Sequence, residues 1–375
     1  MHAKSLYIHI PFCRRKCLYC DFYSIVYDDN LAVSYVDIIV SQLGSIEKKF
    51  STVYIGGGTP TSLNRRLLER LLKAARLKCD NETEFTVEAN PESIDEEKLK
   101  TLLDCGVNRL SIGIQSLDER KLKKLGRIHD AAKAADSVIL ALRRGFKNIS
   151  ADLIFGLWSE TLNSWQKELD EALSLPLKHL SCYSLTYEKN TPLFFALQNK
   201  SVEPLEDETV AAMYEYAIER LSLRGFKQYE ISNFAKEGFE CRHNLTYWDN
   251  LPYLGLGASA VSYEEGVRSE NISSVHDFIK RYTEGRPLEE FSEKLSPLKR
   301  AKETAALKIR TKEGIDFGWF KSATGYDFPH LEKKAISALL AKGLIKYKKE
   351  GNVPTGIALR HKGFLFCDTV SSALL

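Results

Sequence analysis

Leu6-Tyr7-Ile8-His9-Ile10-Pro11-Phe12-Cys13-Arg14-Arg15-Lys16-Cys17-Leu18-Tyr19-Cys20-Asp21-Phe22 joins an apolar, β-branched run to a proline stop and then to three cysteines spaced C-x3-C-x2-C. The run reads as a strand, and the cysteines as the loop that leaves its carboxyl end. Thiolates hold iron clusters and zinc, and a complete site of either kind normally takes four protein ligands. Three leave a position open. The spacing differs from the C-x2-C-x2-C run of bacterial ferredoxins and from plant-type C-x4-C-x2-C, which argues against simple electron storage. A 4Fe-4S cluster on Cys13, Cys17 and Cys20, with one iron free to bind a small molecule, is the preferred reading; a zinc site completed by His9 or Asp21, or three unrelated thiols, are the alternatives.

Outward from this stretch, strand-like runs alternate with segments of helical period. Strands are expected at Leu6 to Ile10, Thr52 to Ile55, Glu84 to Glu88, Arg109 to Ile114, Ile149 to Phe155 and His179 to Leu185, with helices at Leu31 to Lys48, Leu67 to Leu77, Asp95 to Cys105, Asp130 to Arg144 and Leu162 to Leu173. Six strand-helix units imply an α/β fold with a parallel sheet, either partly closed into a barrel or flat and doubly wound. Ligands of parallel α/β folds bind at the carboxyl ends of strands, and the unusual polar residues fall there. Gly56-Gly57-Gly58-Thr59 follows the second strand, Glu88 and Asn90 end the third, Gln115 follows the fourth, and Asp152 lies in the fifth. The glycine turn lets backbone approach a ligand closely but lacks the Lys-Ser/Thr of a phosphate-binding loop.

The cysteine stretch and these strand ends together resemble the radical S-adenosylmethionine (SAM) enzymes, in the branch that holds the oxygen-independent coproporphyrinogen III oxidases and the HemW-type heme chaperones. The likeness runs from Tyr7 to about Gly363. It implies a partial (β/α)6-type barrel, with SAM chelating the open iron and carbon-sulfur cleavage giving a 5'-deoxyadenosyl radical. It also implies SAM contacts at Tyr7, Tyr19, Gly57, Gly58, Thr59 and Glu88, and at the backbone of Thr186. Gln115, Arg127 and Asp152 match positions that hold a second SAM in the oxidases. One departure divides the branch. The oxidases carry a further cysteine two residues beyond the third cluster ligand, where this chain has Phe22. A phenyl ring supplies no thiol, so the expected function moves from porphyrinogen decarboxylation toward binding heme and passing it to an acceptor protein. The oxidase remains the runner-up, and an iron-sulfur regulatory or DNA-binding protein the third reading.

Farther on, Cys241-Arg242-His243-Asn244-Leu245-Thr246-Tyr247-Trp248 contains the H-N-x-x-Y-W string that the resemblance associates with heme. His243 offers an imidazole, Tyr247 and Trp248 offer rings for a macrocycle, and Cys241 is a second possible ligand. Alone, such a histidine is more often a hydrogen-bonded core residue. The family often has His where this chain has Val261, so that position has no heme role here.

Pro297 to Lys308 and Leu331 to Lys342 read as helices, and Leu344 to Tyr347 with Ile357 to Arg360 as a hairpin around Gly351, suggesting a small winged-helix-like domain. Residues 1–285 are expected to form the barrel with an extension carrying the heme string, and residues 286–375 the small domain. Arg360-His361 departs from the more usual Thr-Pro of the related families.

Fifty-three basic against 50 acidic residues give a net charge of +3, which supports no nucleic-acid partner; the run at Lys346, Lys348 and Lys349 reads as a solvated turn. The other five of the eight cysteines are scattered, which fits a reducing compartment. With no leader and no apolar run of about 18 residues, the expected location is the cytoplasm. The expected partners are heme, its acceptor and a one-electron donor.

Overall fold

The computed structural model describes residues 3–375. Six parallel strands form its centre: β1 (Ser5–Ile10), β2 (Phe50–Gly57), β3 (Cys79–Ala89), β4 (Arg109–Gln115), β5 (Ile149–Phe155) and β6 (His179–Ser184). Parallel neighbours need a crossover. Helices α1 (Asp29–Gly44), α2 (Arg65–Arg76), α3 (Glu96–Asp104), the pair α4 (Glu119–Leu125) and α5 (Ala131–Arg144), and α6 (Leu162–Ala172) supply it. Their starts are set by side chains that satisfy the otherwise unpaired first-turn N–H groups: Asp28, Asn64, Asp95, Asp130 and Thr161 each accept one, and Asp118 accepts two. This is why α1 begins two residues before the expected Leu31.

The strands lie in chain order, β1-β2-β3-β4-β5-β6, without the reversal that marks a doubly wound sheet. In-order winding is that of a barrel. It stays open because β1 and β6 bond other partners. The free edge of β1 takes a parallel strand, Tyr253–Leu256, and that of β6 takes an antiparallel one, Asn233–Ala235. Numbered in chain order, Lys227–Gln228 is β7, Asn233–Ala235 β8, Tyr253–Leu256 β9, Val261–Glu264 β10, Val267–Asn271 β11 and Glu289–Lys294 β12, and the twelve strands run β12-β11-β10-β9-β1-β2-β3-β4-β5-β6-β8-β7. The β10 to β12 extension was not read from sequence, because stretches such as Glu-Glu-Phe-Ser-Glu-Lys carry no apolar run.

Side chains alternate across each strand. Leu6, Ile8 and Ile10, Val53 and Ile55, Phe85 and Val87, Leu110 and Ile112, Ala151 and Leu153, and Leu180 belong to the main hydrophobic core. The alternate positions are largely polar, which leaves the inner face a lumen rather than a second core.

Beyond α7 (Pro192–Gln198), α8 (Asp207–Leu223), α9 (Arg242–Trp248) and α10 (Val275–Thr283) comes the small unit. It contains α11 (Pro297–Lys308), β13 (Ile315–Asp316), α12 (Phe317–Thr324), α13 (Phe328–Leu331), α14 (Lys333–Ala341), β14 (Ile345–Glu350), β15 (Val353–Leu359) and α15 (His361–Leu365), with sheet order β13-β15-β14. Strand β12 remains bonded to β11 in the large sheet. We therefore propose to draw the division after Lys294 rather than at residue 285.

Candidate functional site

A cavity of about 570 Å³ opens at the carboxyl ends of β1 to β6. Its wall brings together Cys13, Cys17, Cys20 and Tyr19 from the loop after β1 with Gly57, Gly58 and Thr59 from the turn after β2. Glu88, Gln115, Asp152 and Thr186 reach it from the ends of β3, β4, β5 and β6, and Arg127 from the segment after α4. Tyr7 is the exception among the expected SAM contacts. It is not part of this wall, and its hydroxyl is 3.0 Å from His9 Nδ1.

The glycines have a structural reason. A Cβ on Gly58 would stand 2.8 Å from the Phe12 carbonyl oxygen and 3.0 Å from Cys13 Sγ, and Gly57, at φ 110°, lies under the His9 ring. The turn thus lets the cysteine loop itself approach, with Gly58 N donating to Ile10 O at 2.9 Å and Thr59 N to Phe12 O at 2.8 Å. Thr59 Oγ1 lies 3.7 Å from Cys13 Sγ. Arg127 reaches Cys17 Sγ at 3.3 Å through Nη1 while Nη2 donates to Asn90 Oδ1 and Gly113 O at 2.7 and 2.8 Å. A fixed cation therefore stands beside the thiol rim.

Three soft donors around one cavity suit a cluster with an open iron. Among the described residues no three His, Cys, Asp or Glu side chains converge as ligands of a single metal ion. The His9 imidazole, one candidate to complete a zinc site, has Nδ1 on Tyr7 and Nε2 3.0 Å from the Tyr23 carbonyl oxygen. Burial raises the Cys13 thiol and lifts Cys20 to about 11. Burial also lifts Glu88 to about 7, although its carboxylate accepts from Tyr54 Oη at 2.6 Å and Gly57 N at 3.2 Å. Asp152 is raised by burial too, with Ser181 and Arg109 pulling the other way.

Asn90, read from the sequence as a polar strand end, holds Arg127 and donates to Thr59 Oγ1 at 2.7 Å. Several other site residues escaped the sequence reading: Ser111 and Tyr183 line the cavity; Tyr54 holds Glu88; and Arg109, 2% exposed, stands among Glu84, Tyr54 and Asp152. The missed signal is the period-two polar alternation. Parallel strands buried on both faces read as nearly continuous apolar runs, whereas Glu84-Phe85-Thr86-Val87-Glu88 and Arg109-Leu110-Ser111-Ile112 do not.

The residues expected to hold heme lie elsewhere. Helix α9 sits over the amino-terminal region of β2 and β3, where Glu84 Oε2 accepts from Arg242 N and Oε1 from His243 N, both at 3.0 Å. His243 is 1% exposed, with Nδ1 2.8 Å from Thr52 Oγ1 and Nε2 2.9 Å from Tyr247 Oη. Its ring stacks on Tyr54 at 5.0 Å, and burial lowers its pKa to about 3. Cys241 is fully buried, Tyr247 packs edge-on between His243 and Tyr253, and Arg310 lies over the Trp248 ring at 5.5 Å. The string therefore builds a hydrogen-bonded cluster in which both ring nitrogens of His243 meet protein hydroxyls.

A family model described as the radical SAM superfamily matches residues 7–172. The chain is 39% identical to the heme chaperone HemW of Lactococcus lactis over 347 residues, covering 91% of this chain and 90% of that protein. It is 37% identical to the heme chaperone HemW of Bacillus subtilis over 381 residues, 99% of each. Among solved structures, coproporphyrinogen III oxidase (HemN) from Escherichia coli aligns with a TM-score of 0.85 at 22% identity, over 100% of this chain and 90% of that one, which shows a shared fold.

Proposed function

The chain belongs to the HemW heme chaperone family within the radical SAM superfamily, and from that premise we propose that it binds heme and hands it to an acceptor protein. Cys13, Cys17 and Cys20 would hold a 4Fe-4S cluster at the cavity rim. The turn at Gly57, Gly58 and Thr59 would take the methionine end of SAM. Glu88 and the backbone at Thr186 would line the remainder, and Gln115, Arg127 and Asp152 would be the residues to meet a second SAM. A bound cluster supplies single electrons, received from a donor protein, to the SAM sulfonium. The chain's own contribution is positional. Arg127 ties Asn90 to the cysteine loop, and Tyr54 orients Glu88.

The observation that favours heme handling over porphyrinogen oxidation is Phe22. It lines the cavity and is 66% exposed, so an apolar ring stands where the oxidases present a thiol. Anaerobically reconstituted protein is expected to bind heme, to pass it to an apo heme protein, and to leave coproporphyrinogen III unconverted with SAM and reductant present. Sustained protoporphyrinogen formation would reverse the assignment. No nucleic-acid partner is proposed, and among the described residues no helix is long and apolar enough to cross a membrane.

A further inference from the structure

The reduction potential of an iron-sulfur cluster follows from its net charge, from hydrogen bonds to its sulfurs and from its exposure to water. Arg127 bears on the first two at once. Its Nη1 donates to Cys17 Sγ at 3.3 Å, while Nη2 donates to Asn90 Oδ1 at 2.7 Å and to Gly113 O at 2.8 Å. These partners are a thiol, an amide and a backbone carbonyl, and among the described residues no carboxylate forms an ion pair with Arg127. The Glu92 carboxylate, whose charge reaches it, is held by His129 Nδ1 at 3.1 Å. A half-buried guanidinium with no carboxylate to balance it is unfavourable in the protein alone.

The surroundings hold this side chain in place. Gly126, at φ 75°, ends α4, and a Cβ there would stand 2.9 Å from Leu18 Cγ, so the helix end lies directly against the cysteine loop. Leu18 N donates to Leu125 O at 3.2 Å, and Arg127 N to Leu122 O at 2.9 Å. Helix α4 is itself anchored by Lys121, whose Nζ donates to Glu160 Oε1 at 2.8 Å and also to Glu168, all three residues being buried. Asn90 is fixed in turn, with Nδ2 donating to Thr59 Oγ1 at 2.7 Å. The cations inside the cysteine loop are placed differently. Arg14 is exposed, with Nη1 on the Glu92 carbonyl oxygen at 2.8 Å, and its field is screened by solvent.

We propose that Arg127 sets the reduction potential of the cluster: its fixed charge and its N–H to Cys17 favour the reduced form and bring it within reach of a milder one-electron donor. The proposal rests on the reading of Cys13, Cys17 and Cys20 as cluster ligands. Charge accounting supports it. Three thiolates around an oxidised cluster core leave one net negative charge and reduction makes it two, so a cation held at the ligand sulfur gains most from the added electron. The role is separate from any contact with SAM. Three of the five N–H groups of the guanidinium are used by Cys17, Asn90 and Gly113, and the other two stay available to a ligand.

The test is a redox titration of the full-length, anaerobically reconstituted protein without SAM, followed by electron paramagnetic resonance, which reads the midpoint potential apart from any activity. Arg127→Gln is expected to make the cluster about tenfold harder to reduce, a midpoint lower by about 59 mV. Arg127→Lys, which keeps the charge, is expected to recover most of that shift. Asn90→Asp places a carboxylate on Nη2 with little change of shape and is expected to lower the midpoint by neutralising the guanidinium. Arg14→Gln, an equal change of net charge at an exposed position, is expected to leave it at the parent value. Iron and sulfide content and circular dichroism check loading and fold. A loaded Arg127→Gln with the parent midpoint overturns the proposal; should that variant lose its cluster, a parent midpoint in Asn90→Asp overturns it. Equal shifts in Arg14→Gln and Arg127→Gln overturn it as well, since net charge alone then accounts for both. Failure of the parent to assemble a cluster overturns the reading of the three cysteines, and the proposal with it.

Discussion

Cys13, Cys17 and Cys20 share one cavity rim, while Cys79 is buried with its thiol directed at the Ala75 carbonyl. Cys17→Ala is therefore expected to lose the cluster iron and sulfide after anaerobic reconstitution, and Cys79→Ala to retain them. His243 carries a different prediction. Its neutral ring is held between Thr52 and Tyr247, and burial keeps its pKa near 3 against 6.5 for the free side chain. A histidine with a lowered folded pKa stabilises fully above its unfolded value, and that stability is lost as pH falls from about 6.5 toward 3. In His243→Gln the acid-side slope of unfolding free energy between pH 6 and 4 is expected to shrink by about 1.4 kcal/mol per pH unit, one proton's worth. Denaturant melts across that range measure it.

At the scale of elements, the turn after β2 and helix α9 each depend on one close fit. Gly58→Ala pushes a methyl group against the Phe12 carbonyl and Cys13 Sγ, and backbone cannot yield as a flexible side chain does. The expected outcome is reduced iron loading with unchanged circular dichroism, since the strain falls on the cysteine loop and not on the sheet. Helix α9 has no capping side chain of its own at Cys241, and the Glu84 carboxylate of β3 replaces it. Hydrogen bonds to a charged group are worth about 1.5–3 kcal/mol. Glu84→Ala is therefore expected to destabilise the protein by about that amount and to speed amide exchange through residues 242–248.

Across the whole molecule, one hydrophobic cluster runs from Ala3 to Leu374 and includes Ala301, Phe320 and Ile345 of the small unit beside Leu6 and Val53 of the barrel. The junction adds Lys308 Nζ to Asp249 Oδ1 at 2.6 Å, Asn250 Nδ2 to Thr304 Oγ1 at 3.0 Å, and Lys312 N to Tyr229 O at 2.9 Å. A shared core and paired polar groups make the two units cooperative. Ending the chain at Lys294 is expected to leave a barrel that unfolds at lower denaturant than the full chain, where fluorescence and circular dichroism trace a single transition. Two separate transitions in the full chain would show that the junction carries little of the stability.

What the sequence determined by itself was local in kind. A β-branched run followed by a polar or glycine-rich turn marks a strand's carboxyl end, so the six strands, the cysteine loop and the positions of Gly57, Glu88, Gln115 and Asp152 could be read without coordinates, while Thr186 came from the family resemblance. Tertiary structure decided what depends on pairing between distant segments. Only the strand order separates a barrel from a doubly wound sheet. Only packing shows that the partner of His243 Nδ1 is Thr52, 191 residues away. Likewise, α8, β14 and α15 come to line one cavity only when the small unit folds against the barrel. Spacing along a chain fixes which groups are neighbours within a turn or a loop; which lone pairs remain free is settled by the groups that folding brings from elsewhere.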